Sequence, residues 1–135
     1  MNATDAFFDS NVILYLASPD PRKAERAESV MAPGGVVTVQ VLNEVTDVAR
    51  RKLKMDWVEV HELLAVVRSV CKVDPVTIEV HEHGLLLAER YRFRIYDSLI
   101  LAAAIRAGCT TVYSEDMRDG QSVEGVVIRN PFVEP

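Results

Sequence analysis

Three acids stand where an α/β protein places its chemistry. Asp9 directly follows the apolar run Ala6-Phe7-Phe8, and Asp116 and Asp119 follow the strand-like Thr110 to Tyr113, within Ser114-Glu115-Asp116-Met117-Arg118-Asp119-Gly120. In an open parallel sheet, ligands bind in the crevice outside the carboxyl ends of the strands. Taken singly, each acid reads first as a helix cap or turn residue. Glu44 is harder to explain that way, because Val41 and Val48 lie three and four residues away and put it within the apolar stripe of its helix. A carboxylate pointing inward costs several kcal/mol unless it is paired or bound to a metal. It is a residue snorkelling from the stripe's edge, a partner of Arg50 or Arg51, or a ligand. Asp97 opens a helix that is apolar almost all round (Leu99 to Ile105), so it either caps that helix or is carried inward by it. Acids converging on one crevice repel each other unless a hard cation neutralises them, and carboxylate ligands suit Mg²⁺ or Mn²⁺. Such an ion activates water and holds a phosphodiester oxygen, so the chemistry expected is metal-dependent phosphodiester hydrolysis.

The elements that must position these acids alternate between strand-like and helix-like, which predicts an α/β fold: a three-layer α/β/α sandwich around a parallel sheet of four to five strands. Ala6 to Phe8, Val36 to Thr38, Thr110 to Tyr113 and Val126 to Ile128 read as strands. Asp9, Ser10 or Asn11 caps a helix reaching Ala17; Arg22 to Met31 reads as an exposed charged helix. Thr38 caps an amphipathic helix through Leu53, and Asp56 with Glu59 forms a capping box opening another, with Trp57, Val60, Leu64 and Val67 on one face. Asp74-Pro75 interrupts, Thr77 caps a helix from Ile78 to Tyr91 that contains Gly84, and the apolar helix from Asp97 ends before Gly108.

With 135 residues, the chain is expected to form one domain, 1–135. Hydrophobic residues at 49% and charged residues at 26% exclude disordered and low-complexity classes. No segment approaches the roughly 18 consecutive apolar residues that cross a bilayer, and Met1 to Phe8 lacks the basic and apolar regions of an export signal. A cytoplasmic protein with no membrane association is expected. Cys71 and Cys109 sit among aliphatic neighbours and read as free thiols. The net charge of −5 is opposite to the basic footprint of a protein held on nucleic acid by charge alone. A polyanion must be met through a local basic patch or a metal.

The chain resembles a PIN domain of the kind found in VapC-like toxins of toxin-antitoxin pairs. The resemblance covers nearly the whole chain and rests on Phe8-Asp9-Ser10-Asn11, Val39-Gln40-Val41-Leu42-Asn43-Glu44-Val45, Ile95-Tyr96-Asp97-Ser98-Leu99-Ile100, Ala107-Gly108-Cys109 and Ser114-Glu115-Asp116-Met117. It implies a Mg²⁺- or Mn²⁺-dependent endoribonuclease whose acidic cluster is Asp9, Glu44, Asp97 and Asp116. Asp9 and Asp97 are then metal ligands, Glu44 binds metal or orients water, Asp116 sits opposite, and Asn11 and Ser114 hydrogen-bond to the ligands. Many family members carry an acid a few residues later, a slot that Asp119 fits, so the fourth position is open between Asp116 and Asp119. The resemblance further implies a homodimer, an RNA substrate and, for a toxin, an antitoxin whose tail enters the acidic groove. Two alternatives stand beside the toxin: a PIN-domain RNA-processing nuclease, and a catalytically inactive module that binds RNA or protein.

Rival folds with an acid after the first strand fit less well. A haloacid-dehalogenase-like phosphatase needs a second Asp where this chain has Asn11, and a receiver domain needs a late Lys, whereas no Lys follows Lys72. His61, His81 and His83 read as surface groups. Arg90, Arg92 and Arg94 either touch RNA phosphates beside the acids or are simply solvated. Trp57 is expected to anchor the core or a dimer, since it and the aliphatic faces of the third to fifth helices offer more apolar surface than one small sheet covers.

Overall fold

The computed structural model describes residues 5–133. The reading of Met1 to Phe8 as no export signal rests partly on residues 1–4, which lie outside the described residues. Among the described residues no helix is long and apolar enough to cross a membrane.

Capping decides where most helices begin. Asp9, Asp20, Thr38, Asp56 and Thr77 each accept a backbone N–H of the turn that follows, and so open α1 (Ser10–Leu14), α2 (Pro21–Met31), α3 (Val39–Arg51), α4 (Trp57–Val70) and α5 (Ile78–Tyr91). At Asp56 the capping is reciprocal, because the Asp56 amide donates to Glu59 while the Glu59 amide donates to Asp56. The exception is α6 (Ile95–Arg106), whose N-cap residue Arg94 makes no side-chain capping bond. Every residue of α6 from Ser98 to Ala104 is buried, so packing rather than a cap holds this helix.

The strands are β1 (Ala6–Phe8), β2 (Gly35–Thr38), β3 (Cys71–Asp74), β4 (Thr111–Tyr113), β5 (Ser122–Val123) and β6 (Val126–Arg129), in the order β3-β2-β1-β4-β6-β5. Five run parallel, and β5 pairs antiparallel with β6. β3 and β5 go beyond the strands predicted. β3 follows α4 with no turn residue between Val70 and Cys71, so one apolar run conceals a helix end and a strand start. β5 is two residues long and turns through Glu124 and Gly125, both at positive φ as a two-residue hairpin requires.

The chain steps from β1 to β2 to β3 in one direction, then crosses back to place β4 on the other side of β1. Right-handed crossovers therefore put α1 to α4 on one face and α5 and α6 on the other. The order reverses between β1 and β4, which makes their carboxyl ends the switch point where a crevice opens. The core on either side is Phe7, Phe8, Val36, Val37, Val41, Val45, Leu101 and Ile128, all essentially inaccessible.

Two glycines permit close approach. A Cβ on Gly35 would lie 2.6 Å from the Ala6 carbonyl oxygen and collide with the Phe8 ring, so β1 and β2 can pair here only without a side chain. Gly84, unfavourable in a helix on propensity alone, lets α5 lie against Leu99 of α6. Gly35→Ala is expected to lose about 1–3 kcal/mol, read as a lower urea midpoint with an unchanged slope.

Two side chains and one helix depart from expectation. Trp57 is 55% exposed and is not a core anchor: Val60, Leu63 and Val67 form the buried stripe of α4, while Trp57 lies under the Arg50 guanidinium at 4.5 Å. His83 is not a surface group, being half-buried with its Nε2 2.8 Å from Glu124 Oε2. α2 is charged but not wholly exposed, since Ala27 and Met31 face the core.

Candidate active site

Asp9 leaves β1 at the switch point and is 4% exposed. Its Oδ1 accepts the Ser10 amide at 2.7 Å, and its Oδ2 accepts the Ser114 hydroxyl at 2.8 Å and Asn11 Nδ2 at 3.3 Å. The strand pairing that sets Phe8 beside Tyr113 thus delivers Asp9 and Ser114 to each other. Asn11 then ties the two strand ends together. Its Nδ2 also donates to Asp116 Oδ2 at 3.2 Å, its Oδ1 accepts the Glu115 amide at 3.0 Å, and the Asp116 amide donates to Ser114 Oγ at 3.1 Å.

Glu44 arrives from α3, one turn after Gln40. The Ser10 hydroxyl donates to its Oε2 at 3.1 Å and Gln40 Nε2 to its Oε1 at 3.3 Å. Pairing with Arg50 or Arg51 is excluded, because Arg50 donates to the Met55 carbonyl and Arg51 to Asp47. Asp97 stands in the first turn of α6, three residues past the N-cap, so it is not the cap. Asp9, Glu44, Asp97 and Asp116 all line one cavity of about 460 Å³, together with Ser10, Gln40, Asn43, Asp47, Arg94, Tyr96 and Ile100. Larger hollows of about 790 and 850 Å³ lie along α5 and between α3 and α4, away from the strand-end acids.

Burial pushes the Asp9 carboxyl up from 3.8 to about 6; the Ser114 and Ser10 hydrogen bonds oppose this, and the charges of Glu44 and Asp97 add to it. Asp97 is also raised, first by burial; Arg94 opposes the shift, while Asp116 and Glu44 reinforce it. The acids are therefore close enough to raise one another's affinity for a proton. Among the described residues no three such side chains close on one point as a finished metal cage. The donor set is all oxygen and negatively charged, which suits a hard divalent cation and no soft one.

Asp119 does not join the cavity: its Oδ1 accepts the Asn130 amide at 2.9 Å. Sequence reasoning missed Ser10 and Gln40 as the groups that hold Glu44. Gln40 was recoverable, since it precedes Glu44 by one helical turn. It also missed Tyr15, whose hydroxyl donates to Glu115 Oε2 at 2.7 Å and fastens the loop that carries Asp116. The two cysteines are buried and free, with their thiols pushed up to about 11 by burial, so they stand outside the chemistry.

A mostly parallel α/β domain with an acidic cavity at its switch point is the class that fold and site define. The PIN domain profile matches residues 6–119, and the chain belongs to the PIN-domain family. Among solved structures, a toxin-antitoxin complex from Klebsiella pneumoniae superposes with a TM-score of 0.73 at 18% identity, over 94% of this chain and 98% of that one. FitAcB from Neisseria gonorrhoeae gives 0.68 at 16% identity, over 94% and 98%. VapC20 of Mycobacterium tuberculosis, described as a sarcin-ricin loop cleaving toxin, gives 0.67 at 18%, over 82% and 91%. Likeness at these identities shows a shared fold. No match is found among curated proteins.

Proposed function

We propose that residues 1–135 act as one domain, a Mg²⁺- or Mn²⁺-dependent endoribonuclease, and that it is the toxin of a toxin-antitoxin pair. The observation that carries the nuclease reading is the meeting of Asp9, Glu44, Asp97 and Asp116, drawn from four distant segments, on one cavity at the switch point. Family membership supports it, and the Klebsiella pneumoniae toxin-antitoxin complex and the VapC20 toxin, which share the fold, support the toxin reading. Asp9 and Asp97 are the residues to hold the ion, with Glu44 and Asp116 completing the ring. A divalent ion bound there supplies charge neutralisation, polarisation of the phosphodiester and a water of lowered pKa. The chain's own part is orientation. Ser114 and Asn11 fix the Asp9 carboxylate, Asn11 fixes Asp116, and Ser10 with Gln40 fixes Glu44.

The RNA-processing reading uses the same site and differs in partner; the inactive reading leaves the four acids without a role. In the toxin reading an antitoxin covers the acidic groove and the enzyme acts in the cytoplasm. A homodimer is proposed from exposed Trp57, Val58 and Val66 on α4 and Ile78, Leu85 and Leu86 on α5. Light scattering at micromolar concentration is expected to give the mass of two chains, and a one-chain mass removes the dimer. The nuclease reading is tested by incubating the protein with a labelled RNA in Mn²⁺ and in chelator. Cleavage in Mn²⁺ alone is expected; no cleavage under either condition overturns it.

A further inference from the structure

The cavity has one wall that the acidic cluster does not use. Arg94 and Tyr96 line it beside Asp97. Arg94 is the one cation among the residues that line it, and its charge acts on Asp97. Among the described residues its guanidinium makes no hydrogen bond or ion pair, whereas Arg26 and Arg50 donate to carbonyls and Arg51 to a carboxylate. It caps nothing on α6. Tyr96 is 59% exposed, while Tyr15, Tyr91 and Tyr113 each stack on or tilt against a phenylalanine. An unpartnered guanidinium and an uncovered ring, two residues apart at the mouth of one acidic cavity, have complementary uses on a nucleic-acid strand. Guanidinium matches phosphate in charge and fork geometry, and a free aromatic face accepts any base that is not already stacked in a duplex.

We propose that Arg94 and Tyr96 are the substrate-positioning wall of this site, Arg94 holding a phosphate of the RNA strand and Tyr96 stacking the adjacent unpaired base. The inference rests on the nuclease reading for the identity of the reacting strand, and it deepens that reading by specifying single-stranded RNA. It also addresses how a chain of net charge −5 grips a polyanion. The bound ion neutralises the acids, and Arg94 adds the fixed positive charge that sets where the strand lies.

The test uses an unstructured, fluorescein-labelled 12-nucleotide RNA and its duplex. Binding is followed by anisotropy in Mn²⁺ on an Asp116→Asn background, which keeps Asp9 and Asp97 for the ion, and cleavage is followed in the otherwise wild-type protein. Arg94→Ala is expected to flatten the plot of log Kd against log salt by about 0.7, one phosphate contact on a single strand, and to raise KM about tenfold with kcat within about threefold. Arg94→Lys restores the slope. Tyr96→Ala is expected to weaken single-strand binding by about 5- to 150-fold at every salt concentration and leave duplex binding unchanged, with Tyr96→Phe recovering most of the loss. An unchanged slope for Arg94→Ala, or single-strand binding within twofold for Tyr96→Ala, overturns the proposal. Protein that cuts no RNA yet shows these binding losses retires the nuclease reading and keeps the wall. Protein that cuts RNA with both alanine variants unimpaired does the reverse.

Discussion

Asp97→Asn protein is expected to lose RNA cleavage by on the order of a thousandfold, well beyond the roughly 10–100-fold cost of removing a group that only supports a metal ligand. It is expected to keep its fold. The Asp97 carboxylate makes no hydrogen bond among the described residues, and α6 is held by the burial of Ser98 to Ala104, so the substitution breaks no bond and opens no cavity. It forfeits the attraction of a first-turn acid to the helix dipole, about 0.3–1 kcal/mol. It also forfeits the attraction of Arg94, and against these losses it removes the cost of burying the charge and the repulsion that Asp116 and Glu44 exert on Asp97, which together outweigh Arg94 because the carboxyl is raised on balance. In chelator the variant should therefore melt at or above the wild-type temperature. A ligand that binds only the folded state stabilises by RT ln(1 + [L]/Kd), about 2.7 kcal/mol at a hundredfold excess over Kd. Mn²⁺ should give wild type that increment and give the variant much less. Melting scans of both proteins with chelator and with Mn²⁺, beside a cleavage assay, check all three points. Wild-type cleavage by the variant, or equal Mn²⁺ shifts, removes Asp97 from the metal site.

Much of this arrangement was legible because local signals and global topology agreed. Thr38, Asp56 and Thr77 are recognisable by type and by the apolar spacing after them, and all three cap as read; Asp9 is the one of three candidates that caps α1, and Asp20, which the sequence did not single out, caps α2. Asp9 and Asp116 were findable because residues just after parallel strands face the crevice. What stayed hidden depends on contacts between segments distant in sequence. β3 has no turn before it, and its identity as a strand comes from pairing with β2. Asp116 and Asp119 are alike in sequence; they separate only because Asn11 reaches Asp116 while the chain after β6 returns its Asn130 amide to Asp119. Asp97 looked like a cap because it precedes an apolar helix, but α6 begins two residues earlier, at Ile95, and needs no cap.

In chelator, wild-type protein is expected to lose stability as pH rises from about 4 to about 7, opposite to the usual behaviour of carboxylates paired with cations. Asp9 sets the sign. Its folded-state value is about 6 against 3.8 for the ordinary carboxyl, so between those values the folded protein holds a proton that the unfolded chain has released. That contribution is complete below the unfolded value and vanishes as pH climbs through the folded one. For a side chain this buried, it is on the order of 3 kcal/mol. Asp97, also raised, adds in the same direction. Asp9→Asn retains the cap on the Ser10 amide, but its NH2 can no longer accept from Asn11 Nδ2 and the Ser114 hydroxyl must turn to accept from it, so the variant gives up some stability at every pH while showing a shallower decline with pH. Mn²⁺ reverses the trend, because the ion competes with the proton for the same oxygens and binds more tightly as pH passes 6. The Mn²⁺-induced rise in melting temperature should therefore grow between pH 5 and pH 7 in wild type and stay small throughout in Asp9→Asn. A metal-free stability that climbs steadily with pH in wild type and Asp9→Asn alike would mean that Asp9 stays ionised in the folded protein, with the Ser114, Ser10 and Asn11 hydrogen bonds outweighing its burial.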